Sequence, residues 1–240
     1  MHLIEMYAPQ LAQAVQAGQY CMVRCCHAEA TDPLLRRPFF VRSVRREQGL
    51  CTLLVYVRGR GTSWLANQQE GATLDIFGPV GHGWTIRPTA RNLLLVSEET
   101  YITSLILLAQ MAIEQELAVT LVAQSSSAAA VYPPALLPNE VEYHIITQDG
   151  SMGQRGEVLD IPASYLSWAD AACCGVSQET SVALYAHFER MRSKHFAQGI
   201  ILQPLVCASG ACLSCSIETY SGPKLVCKDG PVFLLGEIAR

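Results

Sequence analysis

The sequence predicts an α+β chain of three units: a small antiparallel β-barrel over residues 1–88, an α/β domain on a parallel sheet over residues 89–200, and a short C-terminal unit over residues 201–240. Three observations carry that prediction. Short apolar runs separated by glycines fill the first third, apolar runs alternate with a helical stretch in the middle, and Cys207, Cys212, Cys215 and Cys227 crowd into the last forty residues.

In the first unit the candidate strands are residues 19–24, 39–42, 50–57 and 72–77. Gly18, Gly49, Gly71 and Gly78 punctuate them, and close spacing with turn signals is the pattern of a small antiparallel barrel. Arg87-Pro88 marks the boundary. The second unit opens on the apolar run 92–96, continues with a helical stretch over 100–116 and returns to an apolar run at 118–123. Strand–helix–strand alternation of this kind argues for parallel pairing. Residues 142–147 and 169–174 extend the alternation, with a helix over 179–195, and the Ser/Ala stretch 125–130 reads as a loop.

The last forty residues carry too many cysteines and glycines for a core of their own, so a metal is expected to hold them together. Cys207-x4-Cys212-x2-Cys215, with Cys227 following, reproduces the start of the plant-type spacing for a [2Fe–2S] cluster. The small residues Ala208-Ser209-Gly210-Ala211 let backbone N–H groups approach the sulfurs. A tetrahedral zinc site is the competing metal reading, although zinc sites more often show paired C-x2-C spacings, and inert burial is the bland one. Cys21, Cys25, Cys26, Cys51, Cys173 and Cys174 sit mostly in apolar strand contexts and read as small buried hydrophobes.

Composition narrows the class further. Half of the 240 residues are apolar and 16% are charged, enough to bury a sizeable core. A net charge of −4 with no long run of either sign offers no footprint for nucleic acid or anionic lipid, so neither is expected as a partner. Met1 to Met6 lack the features of a secretory signal, and Ser97, Glu98 and Glu99 interrupt the most hydrophobic region before it reaches the ~20 residues of a spanning helix. A cytoplasmic protein is expected. There the thiol pool is reduced, which turns ten cysteines towards metal ligation or burial rather than disulfides.

The cysteine tail, continued by Val226-Cys227-Lys228-Asp229-Gly230-Pro231, closely resembles the electron-transfer subunit of type B dihydroorotate dehydrogenase, and the resemblance covers almost the whole chain. Leu34-Leu35-Arg36-Arg37-Pro38-Phe39 looks like that family's flavin motif, Arg58-Gly59-Arg60-Gly61-Thr62 like its second flavin-contacting turn, and Gly78-Pro79-Val80-Gly81-His82-Gly83-Trp84 like the end of its barrel. The match also takes in residues 149–156. The resemblance implies a ferredoxin reductase-like architecture: an FAD-binding barrel, a nucleotide-binding-like α/β domain and a [2Fe–2S] domain.

A flavin dinucleotide needs a guanidinium, backbone donors and an edge of strand against its ring. Arg37 and the Gly61-Thr62 turn could supply the first two. By the resemblance, Pro38, Phe39 and Phe40 run along the isoalloxazine, and the strand Leu53-Leu54-Val55 lies against the cofactor. The resemblance also implies a hetero-oligomer with a catalytic oxidoreductase subunit, dihydroorotate dehydrogenase, since no acid–base constellation is visible here. The chain then reads as an electron relay rather than a self-sufficient enzyme. The same architecture would serve another partner oxidoreductase, and a flavin-free redox module is the reading from a different class.

Three departures from the family stand out. Phe40 occupies a position where relatives usually carry a small hydroxyl residue. The match begins near Tyr7, which leaves the barrel short of its first strand or the start codon misplaced. After residues 93–96, where relatives have a glycine-rich loop, the chain reads Ser97-Glu98-Glu99-Thr100-Tyr101, and the family's Cys-Gly-Pro turn becomes Cys174-Gly175-Val176. Ser97 is expected as the N-cap of the following helix, with both carboxylates in its first turn. Direct NAD(P)H binding is therefore expected to be weak or absent.

Overall fold

The computed structural model describes residues 1–189 and 196–238. In the first unit β1 (His2–Tyr7), β2 (Tyr20–Val23), β3 (Arg37–Arg45), β4 (Leu50–Val55) and β5 (Ile76–Val80) form an antiparallel sheet in the order β1-β4-β3-β2-β5, with helices α1 (Pro9–Ala14) and α2 (Arg60–Ala66) between strands. The outer strands β1 and β5 are not paired with each other, and a groove of about 790 Å³ bordered by Ile4, Met6, Leu65, Leu74 and Ile76 lies along them. The barrel is open along that seam.

Two strands differ from expectation. β1 lies upstream of Tyr7, where no strand was expected, and pairs along its length with β4, from His2↔Val55 to Tyr7↔Leu50. As an edge strand it leaves His2, Leu3 and Glu5 exposed, which blurs the alternation that would announce it. β5 starts only at Ile76, because Gly71 (φ +85°) and the Ala72 N–H bonded to the Gln69 carbonyl hold the preceding chain in a turn.

The rest of the chain supplies β6 (Asn92–Glu98), β7 (Ala118–Ser125), β8 (Glu142–Thr147), β9 (Gln154–Arg155), β10 (Ala171–Gly175) and β11 (Ala197–Ile200), the hairpin β12 (Ser216–Thr219) and β13 (Gly222–Leu225), and β14 (Val232–Leu234). The large sheet runs β14-β11-β10-β6-β7-β8-β9 and is parallel except for β14. Its helices are α3 (Ile106–Glu114), α4 (Ala163–Trp168) and α5 (Gln178–Glu189), followed in the C-terminal unit by α6 (Val226–Asp229) and α7 (Leu235–Ile238). β6 is central. Leu93 and Leu95 enter one core with α3, while Leu94 and Val96 enter the other with Leu184, Phe188 and Leu235, so every side chain from Leu93 to Val96 is buried. A strand covered on both faces reads as a continuous apolar run.

The helix expected over 100–116 is split into a 3-10 segment at Glu99–Ser104 and α3. Glu99 takes a left-handed φ of +41°, and the Thr103 and Ser104 hydroxyls donate to the Thr100 and Tyr101 carbonyls at 2.9 and 2.7 Å, competing with regular helix formation. The helix expected over 179–195 is observed as α5, and residues 190–195 fall outside the described residues.

The C-terminal unit does not depend on a metal alone. β14 adds antiparallel to β11, with Gly199↔Phe233, and Phe233, Leu235 and Ile238 are buried in the shared core. Gly199 lets α7 pack closely: a Cβ would come within 2.7 Å of the Leu235 side-chain tip and 3.0 Å of that of Ile238, which would have to shift. The boundary at residue 201 therefore runs through a continuous sheet. Among the described residues no helix is long and apolar enough to cross a membrane.

Candidate redox site

Residues 207–215 form a loop whose bends are set by left-handed Ala208 (φ +54°), Gly210 (+82°) and Leu213 (+58°). This curvature turns backbone donors inward. The N–H groups of Ser209 and Cys212 both approach the Cys207 sulfur, at 3.4 Å each. The Ser209 hydroxyl, together with these two N–H groups, holds the Cys207 thiol pKa down to about 5, which favours the thiolate.

Cys215 and Cys227 are buried, Cys212 is exposed and Cys207 lies between these extremes. Val226 N–H donates to the Cys215 carbonyl at 3.1 Å, and Leu225 N–H to Asp229 Oδ2 at 2.7 Å, which fixes α6 and hence Cys227 beside Cys215. Burial and the neighbouring Cys215 push the Cys227 thiol up to about 11. A cationic metal group would reverse that preference. Among the described residues no three His, Cys, Asp or Glu side chains converge as a single ion requires, while a two-iron cluster spreads its four thiolates over two metals. Four thiols, one of them accepting two backbone N–H groups on its sulfur, are the donor chemistry that an iron–sulfur cluster uses.

The segment just after Cys227 sits against the barrel. His82 N–H donates to the Gly230 carbonyl at 2.5 Å, and a Cβ at Gly81 (φ +80°) would meet that oxygen at 2.3 Å, so only glycine permits the approach. One residue earlier, Val80 pairs with Tyr20. The Tyr20 phenol is buried in the same core as Cys215 and Cys227, its hydroxyl has no hydrogen-bond partner among the described residues, and burial with the two thiols raises its pKa. Sequence reading missed Tyr20, because only the long-range β2–β5 pairing brings it to the cysteines.

The structure brings Arg37 and Gly61 together: a Cβ on Gly61 would lie 3.5 Å from Arg37 Nε and 3.2 Å from the Cys25 Cβ. Thr62 belongs to the same turn. Its hydroxyl accepts the N–H groups of Arg58 and Gly59 at 2.9 and 3.1 Å and donates to the Gly59 carbonyl at 3.0 Å. With one donor and two acceptors used, that hydroxyl shapes the turn and has nothing left for a ligand.

β3 divides its pairing at this point. Residues Arg37 to Phe40 pair with β2, whereas the ladder to β4 starts at Val41↔Leu53. Phe39 and Phe40 therefore diverge from Leu54 and Val55. Pro38 is exposed and Phe40 half-buried, while Phe39, Leu53, Leu54 and Val55 are buried in the barrel core. The splay between the strands is the place where a flat ring could lie against backbone.

At the carboxyl end of the large sheet the arrangement differs from expectation. Ser97 is still within β6, buried, and its hydroxyl has no hydrogen-bond partner among the described residues, so it does not cap the following helix. Glu98 reaches across to α5: Ser177 N–H donates to Oε2 at 2.8 Å and the Thr180 hydroxyl to Oε1 at 2.5 Å. Glu99 Oε1 accepts the Ser126 N–H at 2.7 Å, just past β7. Gly175 is covered by the 3-10 segment, since a Cβ there would meet the Tyr101 carbonyl at 2.9 Å and Ser104 Oγ at 3.0 Å.

Residues 203–239 match the family described as the iron-sulfur cluster binding domain of dihydroorotate dehydrogenase B. Over 234 residues the chain is 33% identical to the dihydroorotate dehydrogenase B (NAD(+)) electron transfer subunit of Geobacillus thermodenitrificans, covering 95% of this chain and 88% of that protein. The subunit of the same name from Desulforamulus reducens is 28% identical over 242 residues, 97% and 90% of the two chains. Among solved structures, the NADH-dependent reduced ferredoxin-NADP oxidoreductase superposes with a TM-score of 0.82 at 22% identity, covering 98% of this chain and 83% of that one. A cytochrome P450 reductase from Amycolatopsis gives 0.60 at 18% identity, over 78% and 60%. These two likenesses establish the ferredoxin reductase-like fold.

Proposed function

The chain belongs to the family of dihydroorotate dehydrogenase B electron transfer subunits, and from that premise we propose that it relays electrons for a dihydroorotate dehydrogenase catalytic subunit in a hetero-oligomer. Cys207, Cys212, Cys215 and Cys227 hold a [2Fe–2S] cluster. Arg37 and Gly61 anchor FAD through its diphosphate, Thr62 shapes that turn, and the diverging segments Pro38-Phe39-Phe40 and Leu53-Leu54-Val55 receive the ring. FAD can take up two electrons together and release them one at a time, and a cluster passes them singly, so the pair would join a two-electron oxidation to one-electron steps.

The observation that carries this reading is the docked cysteine loop. Backbone donors already meet one cysteine sulfur, and the Gly81–Gly230 contact fixes the segment just after Cys227 against the barrel that carries Arg37. The chain's own residues position and desolvate; chemistry on the substrate belongs to the partner. We place the protein in the cytoplasm, where thiols stay reduced; none of the ten cysteines is paired in a disulfide in the structure.

Co-expression with a dihydroorotate dehydrogenase catalytic subunit, anaerobic purification, and analysis for iron, sulfide and FAD test the reading. A complex with two irons and one FAD per copy of this chain is expected. Failure to co-purify, with cofactors intact, would assign the relay to another oxidoreductase.

A further inference from the structure

In open α/β sheets, ligands bind outside the carboxyl ends of the strands at the point where strand order reverses. Here the chain winds from β6 outward through β7 and β8, then returns to place β10 on the other side of β6. The reversal lies between β6 and β10. A dinucleotide would seat its diphosphate there on free backbone N–H groups, with glycines keeping side chains away.

Two of the backbone N–H groups there, those of Ser177 and Ser126, are engaged by the protein's own carboxylates. The Glu98 carboxylate occupies the start of α5 through Ser177 and Thr180, and the Glu99 carboxylate takes the Ser126 N–H beyond β7. Two negative charges thus tie together the ends of β6, β7 and β10. The 3-10 segment Glu99–Ser104 covers Gly175, and the Trp84 indole N–H donates to the Ser104 carbonyl at 2.9 Å in a buried bond that fastens the segment to the barrel end. Carboxylates and backbone of the chain itself thus border the crevice.

We propose that Glu98 and Glu99 act as internal anions in the diphosphate seat and close this subunit to nicotinamide dinucleotides. Its electrons then exchange with redox groups of partner proteins, unlike the relatives that carry NAD(+) in their names. Repulsion between the carboxylates and an incoming diphosphate adds to the steric closure, and both effects spare the flavin and cluster sites. Glu98 and Glu99 are specificity-determining residues. This inference rests on the electron-relay reading above.

The test uses the co-purified complex with FAD and cluster verified by analysis, so that missing cofactors would count against the relay reading and not against this one. Anaerobic mixing with NADH or NADPH up to about 1 mM, the upper end of ordinary KM values, is expected to leave the flavin band unbleached while dithionite bleaches it. Rapid bleaching by either nucleotide overturns the proposal. In a Glu98→Gly/Glu99→Gly double variant, nucleotide-dependent reduction is expected to rise at least tenfold above the wild-type background. A folded variant with unaltered dithionite reduction and no such rise would show that these carboxylates do not close the site.

Discussion

The Tyr20 and Phe40 rings meet edge to face, with centroids 6.1 Å apart and planes at 86°, directly across the β2–β3 ladder. Phe40 belongs to the segment proposed to receive the flavin, and Tyr20 shares its buried core with Cys215 and Cys227. The pair therefore spans the ground between the two proposed cofactor sites. A buried hydroxyl without a partner is costly, and a cluster sulfur would give the Tyr20 phenol an acceptor.

Tyr20→Phe is expected to lower the reduction potential of the cluster. A donated hydrogen bond favours the more negative, reduced form, and a differential of about 1.4 kcal/mol corresponds to a tenfold change, or about 59 mV for one electron. Ring packing against Phe40 is retained. Redox titration followed by electron paramagnetic resonance reads the shift, and an unchanged potential would show that the phenol donates elsewhere.

Cys212→Ser is expected to remove the cluster, whereas Cys174→Ser should leave iron content unchanged. Cys212 is exposed on the loop, but Cys174 is buried in β10. Because β14 and α7 share a core with the large sheet, the Cys212 variant should remain folded there and lose order chiefly in the loop and the β12–β13 hairpin. Iron analysis with hydrogen exchange checks both statements. Stoichiometric iron in the Cys212 variant would refute the ligand set.

Arg37→Ala should weaken FAD retention roughly 10- to 100-fold, the loss of one charge-assisted contact of about 1.5–3 kcal/mol. Gel filtration of the complex followed by flavin fluorescence measures it. Retention equal to wild type would move the anchor away from Arg37.

The parts legible in the sequence are those whose signal is local. The spacing of Cys207, Cys212 and Cys215 is a property of nine consecutive residues, and the unbroken run at 92–96 announces a strand buried on both faces. What escaped depends on distant pairing. β1 hides behind exposed His2 and Glu5, and Tyr20 acquires meaning only when Val80 and Gly230 bring the cysteines to it. Glu98 was legible as an obstacle to a diphosphate, but its partner is the start of α5, 79 residues on, rather than the helix that follows it. A carboxylate at a strand end satisfies whichever helix start the sheet order places beside it, and strand order is not written in any local window.

In cluster-free protein Cys207 is expected to alkylate fast at pH values where Cys227 is inert. Hydrogen bonds from the Ser209 hydroxyl and from the Ser209 and Cys212 N–H groups hold its pKa down to about 5, whereas burial and the neighbouring Cys215 raise Cys227 to about 11. The thiolate is the nucleophile, and although a lower pKa also makes it intrinsically less reactive, the gain in ionised fraction at pH 6 is larger. The sign follows from the direction of each shift. The Cys207 rate should be flat from about pH 6 upward and fall as pH drops through about 5, while the Cys227 rate should climb only as pH approaches 11. Time-resolved iodoacetamide labelling with peptide mass spectrometry reads the two separately. A Cys207 rate that rises steadily to pH 9, the behaviour of an ordinary thiol, would show that the loop does not hold its donors on the sulfur before the metal arrives.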